Sequence, residues 1–91
     1  MYKVKLSSRA IKDLKKLEKE TQSKVIESLE ILKLNPFAEI IQYKKLKGRN
    51  QLYRIRIGSY RVIYEIQGEV LVIIVIRIGH RKDVYRYLKE V

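Results

Sequence analysis

The sequence predicts an α+β domain in which helices cover one face of a largely antiparallel sheet. Three patterns lead to this fold class: a short alternating segment at the N-terminus, two stretches with helical periodicity, and three strand-like segments joined by short turns. The chain has 91 residues, 46% of them hydrophobic, which is enough for a single modest core. No linker, repeat or low-complexity tract interrupts it, so residues 1–91 are expected to form one domain.

The first third predicts a strand followed by a helical hairpin. Residues 2–6 alternate apolar side chains with lysine, which is the period of a half-buried strand. In "SSRAIKDLKKLEKE", Ser7 or Ser8 can cap a helix, and the apolar residues that follow recur at helical spacing. The segment "TQSKVIESLEILKL" repeats this spacing, and Pro36 ends it because the residue before a proline avoids the helical region.

The second half predicts a three-stranded antiparallel meander and a short C-terminal helix. Residues 37–50 are aperiodic and are expected to form a connection that ends in the exposed loop "KKLKGRN". Strands are expected at 52–57, 60–66 and 70–78, with tight turns at Gly58-Ser59 and near Gln67-Gly68. The last strand is apolar on both faces and is expected in the sheet centre, with the N-terminal strand at its free edge. "RKDVYRYLKEV" has helical spacing.

The register of the last strand stays open in the sequence. A two-residue turn at Gln67-Gly68 would place Ile74 opposite Arg61. A slip of one residue would reverse the direction of every later side chain, because side chains alternate between the two faces of a strand.

Composition narrows the possible partners. The net charge of +11 predicts an acidic partner such as nucleic acid, an anionic membrane or an acidic protein. Residues 43–64 carry seven basic side chains and no acidic one, so the middle of the chain is the expected site. The absence of cysteine excludes disulfides and thiol chemistry and suits a reducing cytoplasm, where we expect the protein. The apolar run at 70–76 is too short to span a bilayer, so no membrane association is expected.

Three arginines are predicted on one face of the sheet. The Gly58-Ser59 turn pairs residue 56 with residue 61, and alternation then places Arg54, Arg56 and Arg61 on the face away from the helices, together with Ile63. We call these three arginines the arginine face. Arginines are ordinary on an exposed sheet face, but a directly opposed pair is destabilising. A phosphate between the two guanidinium groups would reverse that sign, so we interpret this face as an anion site.

The residue inventory favours phosphate chemistry without a metal or cofactor. The chain has one histidine, no cysteine and dispersed acids, so neither a metal site nor a nucleophile triad is predicted. RNA can cleave itself when its 2′-hydroxyl attacks the adjacent phosphorus. A protein assists by aligning the chain, neutralising the phosphorane and donating a proton to the leaving oxygen. Arginine supplies charge, and tyrosine can stack on a base or donate a proton.

Two motifs carry a resemblance to a known family. The stretch "LYRIRIGSYRVIYEI", followed by an apolar strand and "IGHRKDVYRYL", resembles the RelE/ParE superfamily of toxins, most closely RelE-like messenger-RNA interferases. The resemblance implies a RelE-like fold and cleavage of messenger RNA in the ribosomal A site. It also implies neutralisation by a RelB-like antitoxin within a toxin–antitoxin hetero-oligomer. Two alternatives stay open: a ParE-like inhibitor that binds DNA gyrase, and a non-catalytic RNA- or ribosome-binding module.

The resemblance also implies roles for particular residues. The two basic positions of the family's "Y-basic-I-basic" strand fall on Arg54 and Arg56, and its next strand places an arginine at Arg61. Its arginine and tyrosine after the last strand fall on Arg81 and Tyr85. Arg61 and Arg81 would hold the scissile phosphate, while Tyr85 would stack on the nucleotide or assist proton transfer.

The remaining candidates contribute charge or move protons. Lys45 and Lys47 are expected to bind RNA phosphates beside the arginine face. Well-known family members carry lysines where this chain has its first two strand arginines, and arginine does not release a proton near neutral pH. His80, Glu65 or a water molecule is therefore the candidate for proton transfer.

Overall fold

The computed structural model describes residues 1–46 and 51–80, and these residues form two α-helices, a 3-10 helix and a five-stranded mixed sheet. The strand order across the sheet is β1-β5-β4-β3-β2. In chain order the elements are β1 (Lys3–Leu6), α1 (Ser8–Lys15), α2 (Lys19–Leu34), the 3-10 helix (Glu39–Ile41), β2 (Lys44–Lys45), β3 (Leu52–Ile57), β4 (Tyr60–Gln67) and β5 (Val72–His80).

The predicted helical hairpin is confirmed. The side chain of Ser7 caps α1 by accepting a hydrogen bond from the backbone N–H of Ala10 at 3.0 Å. Helix α2 ends at Leu34, and Asn35 takes the extended conformation that the following Pro36 favours. No helix within the described ranges is long and apolar enough to cross a membrane.

The predicted meander of β3, β4 and β5 is confirmed, and so is the place of β1. The turn at Gly58-Ser59 has two residues, and Gly58 has a φ of 59°, a conformation that glycine adopts without strain. Strand β5 lies inside the sheet between β4 and β1. Because β1 pairs with β5 in parallel, the sheet is mixed.

The turn between β4 and β5 differs from the prediction. Gln67 pairs with Val72, so the connection has four residues, Gly68 to Leu71. Leu71 adopts a φ of 54°, which closes the turn without a second glycine. Ile74 consequently pairs with Glu65, and the expected pairing of Ile74 with Arg61 is wrong.

A β-bulge changes the register a second time. Tyr64 pairs with Val75 while the preceding Ile63 pairs with Arg77, so Ile76 is the extra residue on β5. Beyond this bulge Arg61 lies opposite Gly79.

One strand was missed in the segment that the sequence predicts to be a loop. Lys44 and Lys45 pair antiparallel with β3, and the backbone N–H of Leu46 extends the contact by donating to the carbonyl of Leu52 at 2.9 Å. Two exposed lysines carry no period that could predict a strand, so the pairing depends on the free edge of β3.

The core lies between the helices and one face of the sheet, as the predicted fold class requires. Helix α2 contributes Val25, Leu29 and Leu32, which are all buried. The buried sheet residues of this cluster are Ile55, Ile57, Val62, Tyr64, Ile66, Ile73, Val75 and Ile78. The predicted C-terminal helix lies outside the described residues.

Candidate nucleic-acid interface

The predicted arginine pair is confirmed by the register of β3 and β4. Arg56 pairs directly with Arg61 across the antiparallel ladder, and Arg54 pairs with Ile63. Since side chains alternate along a strand and cross-strand partners share a face, the three arginines lie on the face opposite the helix-side core.

The arginines differ sharply in exposure. Arg56 is exposed, whereas Arg54 retains 8% and Arg61 only 5% of its accessible surface. Within the described residues the Nε of Arg61 is buried and has no hydrogen-bond partner, and its Nη1 donates to the carbonyl of Tyr60 at 3.3 Å. Buried polar groups are usually satisfied. The guanidinium of Arg61 therefore holds a donor that no described residue uses.

No carboxylate pairs with Arg54, Arg56 or Arg61 among the described residues. The salt bridges there join Lys24 to Glu20, Lys33 to Glu30 and Arg77 to Asp13, and none reaches the three arginines. Glu65 shares the face by alternation, but it pairs with Leu52 and makes no ion pair in the described part of the chain.

Ile63 shows that the arginine face is not a plain solvated surface. The sequence predicts an outward position for Ile63, yet the residue is fully buried and lies outside the helix-side core cluster. In register it lies between Arg54 on β3 and Arg77 on β5. An apolar residue beside buried charges excludes water and strengthens electrostatic contacts made there.

Gly79 is the register partner of Arg61 on β5. Across the three strands, Arg56, Arg61 and Gly79 occupy one row. Because glycine has no side chain, the β5 residue of this row adds none beside Arg61, whereas the β3 residue is the charged Arg56.

Register assigns the two lysines of β2 to different faces. Lys44 pairs with Arg54 and so joins the arginine face, whereas Lys45 pairs with Tyr53, a residue that packs against the core. Both lysines are exposed. The sequence predicts Lys45 as a phosphate-binding residue, whereas the register places Lys44, which was not predicted, on the arginine face. Only the pairing of β2 with β3 distinguishes them.

His80 lies at the end of β5, opposite Tyr60. It is exposed, and its ring contacts that of Tyr60 edge-on, with centroids 5.4 Å apart. By alternation this register position belongs to the face of Val62, not to that of Arg61. The other predicted site residues Lys47, Arg81 and Tyr85 lie outside the described residues.

An aromatic cluster supports β2 and β3 from the core side. Tyr53 stacks on Tyr64 with ring centroids 6.0 Å apart and an interplanar angle of 19°, and Phe37 and Tyr43 contact Tyr53 edge-on. Burial raises the pKa of the Tyr64 hydroxyl well above its usual value, and the nearby Tyr53 and Tyr43 raise it further by smaller amounts. Among residues 1–46 and 51–80 that hydroxyl has no hydrogen-bond partner. The cluster fixes the inner surface of the strands that present the arginines.

The fold and this face together define a small basic α+β protein whose sheet carries three arginines that form no salt bridge with the described residues. Among residues 1–46 and 51–80, no group of three acidic or histidine side chains lies close enough to hold a metal ion.

The comparisons with known proteins agree on one family. Residues 4–85 match the family described as the ParE toxin of type II toxin-antitoxin systems, parDE. The putative toxin RelE1 of Methanocaldococcus jannaschii is 37% identical over 86 residues, which cover 93% of this chain and 96% of that protein. The chain therefore belongs to the ParE/RelE family of toxins, and the resemblance drawn from its motifs is confirmed.

Solved structures of the family share the fold. A chain of the archaeal RelE-RelB complex from Pyrococcus horikoshii OT3 superposes with a TM-score of 0.80 at 33% identity, covering 90% of this chain and 97% of that one. The isolated Escherichia coli RelE toxin gives a TM-score of 0.77 at 26% identity, covering 99% of this chain and 97% of that one. The RelE-like architecture predicted from the sequence is confirmed.

Proposed function

We propose that this protein is a ribosome-dependent endoribonuclease that cleaves messenger RNA in the A site. The observation that carries the proposal is the buried Nε of Arg61 beside Arg56: this Nε has no hydrogen-bond partner, and neither arginine pairs with a carboxylate, in the described part of the chain. A phosphodiester offers the anionic oxygens that this pair lacks. Three RelE toxins among the similar proteins support the RelE branch of the family.

The proposed reaction needs no metal. The 2′-oxygen of the RNA forms a bond to the adjacent phosphorus, and the bond from phosphorus to the 5′-oxygen breaks. Arg61 and Arg81 stabilise the charge of the phosphorane, while Arg54, Arg56 and Lys44 hold flanking phosphates. Tyr85 stacks on the base and assists proton transfer to the leaving oxygen.

A water molecule is the proposed acceptor of the 2′-hydroxyl proton. Arginine does not serve as a base near neutral pH. Glu65 lies four residues along β4 from Arg61, about 13 Å of extended chain, and His80 lies on the face of Tyr60. We therefore propose that neither of these side chains takes the 2′-hydroxyl proton.

The proposed partner is an acidic or amphipathic antitoxin of the RelB kind. The net charge of +11 favours such a partner. RelE proteins of Pyrococcus horikoshii, Escherichia coli and Methanococcus jannaschii form complexes with RelB. We propose that this chain forms a toxin–antitoxin hetero-oligomer of the same kind.

The test adds the purified protein to translating ribosomes and maps messenger-RNA ends by primer extension. We expect cleavage within the A-site codon that Arg61→Ala, Arg81→Ala or Tyr85→Phe abolishes without unfolding the protein. Arg9→Ala is the control for the loss of one arginine, since Arg9 is an exposed residue of α1. A metal chelator should leave the rate unchanged, and loss of cleavage on chelation would contradict the metal-free mechanism.

The family match to ParE supports one alternative, inhibition of DNA gyrase. Intact messenger RNA together with arrested supercoiling by gyrase would assign the protein to that function. RNA binding that weakens with salt but yields no product would assign it to a plain binding module.

A further inference from the structure

The last part of β5 has no strand along its outer edge, and residues at the start of α1 and within it bind the β5 backbone there instead. Strand β1 ends at Leu6, which pairs with Val75, so it provides no partner strand for the last part of β5. Exposed strand edges leave backbone groups unpaired. Here Ser7 and Asp13 supply the missing partners, as the following contacts show.

Ser7 connects the start of α1 to the bulge. Its hydroxyl donates to the carbonyl of Ile76, the extra residue of the bulge, at 2.7 Å, while the same oxygen accepts from Ala10. Its backbone N–H donates to the carbonyl of Val75 at 2.9 Å. One residue therefore caps the helix and holds the backbone on both sides of the point where the register changes.

Asp13 holds the residues immediately after the bulge. Its Oδ2 accepts the backbone N–H of Ile78 at 2.9 Å and Nε of Arg77 at 3.0 Å, and its Oδ1 accepts Nη2 of Arg77 at 3.2 Å. Both side chains of this ion pair are only 12% exposed. A largely buried carboxylate that accepts three hydrogen bonds fixes the backbone of Ile78 and the side chain of Arg77 together.

The bulge decides which residue lies beside Arg61. If the pairing of Tyr64 with Val75 continued without a bulge, Arg61 would lie opposite Ile78, and Arg77 would lie opposite Val62 in the core. With the bulge, Ile78 enters the core at 2% exposure and Gly79 lies opposite Arg61.

We propose that Asp13, assisted by Ser7, is a positioning residue that locks the bulge of β5 and so keeps Gly79, instead of Ile78, opposite Arg61 at the proposed phosphate site. Asp13 acts through the backbone of β5 and does not touch the substrate. Its effect on cleavage rests on the proposed function, whereas its effect on the register does not.

The test compares Asp13→Ala with Gln22→Ala. Gln22 donates from Nε2 to the carbonyl of Leu14 at 2.8 Å, so its loss also removes a half-buried tie of α1 but leaves β5 untouched. In the wild type and in Gln22→Ala, NMR should show cross-strand contact between the backbones of Arg61 and Gly79. In Asp13→Ala this contact should weaken or move to Ile78. The Ile78 amide should also exchange about tenfold to a hundredfold faster, because it loses a charged acceptor.

Cleavage provides the second readout. At equal fractions of folded protein, Asp13→Ala should lower the maximal rate by about a hundredfold with little change in apparent ribosome affinity, since a small displacement of a positioned group has that effect. Gln22→Ala should keep the wild-type rate. Asp13→Asn keeps an oxygen for the Ile78 amide, so its cleavage rate should lie between the rates of Asp13→Ala and Gln22→Ala. This variant replaces Asp13→Ala in the measurements if Asp13→Ala does not fold.

Two results would overturn the proposal. One is an Arg61–Gly79 contact that persists in Asp13→Ala or Asp13→Asn with unchanged exchange at Ile78. The other is an Asp13 variant that cleaves like Gln22→Ala. If the wild type cleaves no RNA, the proposed function fails, and the NMR arm alone decides whether Asp13 sets the register.

Discussion

Replacing Arg61 with methionine should make the protein more stable while weakening its hold on RNA. Methionine has a similar length and fills a buried site without polar atoms. The substitution removes a buried Nε without a partner, worth about 1–3 kcal/mol, and the repulsion from Arg56, worth about 0.2–1 kcal/mol. It gives up one hydrogen bond from the charged guanidinium to the carbonyl of Tyr60, which is long at 3.3 Å and therefore at the low end for charged groups, about 1.5 kcal/mol. The free energy of unfolding should therefore rise by about 1 kcal/mol.

Two assays measure the two effects. Urea unfolding gives the change in free energy, and the thermal midpoint should rise by about 4–8 °C for a domain of this size. Titration with a single-stranded RNA oligonucleotide should show a loss of affinity of about tenfold to a hundredfold, which corresponds to charged hydrogen bonds of about 1.5–3 kcal/mol. Arg9→Met, which removes an exposed arginine of α1, controls for the loss of one charge.

The reasoning fails if Arg61→Met destabilises the protein by more than about 1 kcal/mol, the usual size of a lost structural hydrogen bond. The guanidinium would then be a structural group that the fold needs, and its unused donor would say nothing about a ligand. Equal RNA affinities of Arg61→Met and Arg9→Met would also refute the assignment of a specific phosphate contact.

Two further predictions concern Tyr64 and β2. Tyr64→Phe should raise the free energy of unfolding by about 1 kcal/mol, because the hydroxyl is buried without a partner. Since burial raises the pKa of Tyr64, the wild type should keep its full stability below about pH 10 and lose up to about 1.4 kcal/mol per pH unit above it. Alkaline urea titrations should show that Tyr64→Phe lacks this loss, and an identical slope would contradict it. Lys44→Ala should weaken RNA binding several-fold more than Lys45→Ala in salt-dependent titrations, because only Lys44 pairs with Arg54. Equal losses of RNA affinity in the two variants would show that the positive charge of these lysines matters but that the sheet face on which each lies does not.

The arginine pair was predictable because its determinants are local. Gly58 takes the left-handed conformation of a two-residue hairpin turn, and such a turn leaves one register for the strands it joins. Strand alternation then places Arg56 opposite Arg61. Three other features follow from equally local signals. The spacing of apolar residues predicts the fold class, Ser7 predicts the start of α1, and Pro36 predicts the end of α2.

The register of β5 was not predictable because its determinants are distant in sequence. Leu71 adopts a positive φ that favours glycine, so composition points to the wrong turn length. The bulge is held by Ser7 and Asp13, which lie more than sixty residues earlier in the chain. No pattern within "VLVIIVIRI" shows where a serine hydroxyl and a carboxylate of another element will bind. The face of Lys44 depends in the same way on a pairing that only the folded sheet reveals.

The burial of Arg61 favours a catalytic role over simple attraction of a nucleic acid. Electrostatic attraction works best with exposed, mobile side chains, and Arg56 and Lys44 already provide it. Burying Arg61 to 5% exposure with an unused donor costs free energy and adds little long-range attraction. Burial instead gives the guanidinium of Arg61 a fixed direction and a low local dielectric. The buried Ile63 on the same face lowers that dielectric further. These are the properties that stabilise charge developing at one point in a reaction. A domain of this size, with a net stability of the order of 5–15 kcal/mol, can carry that cost at one residue. In this protein the free-energy cost of an unused buried donor arises at Arg61.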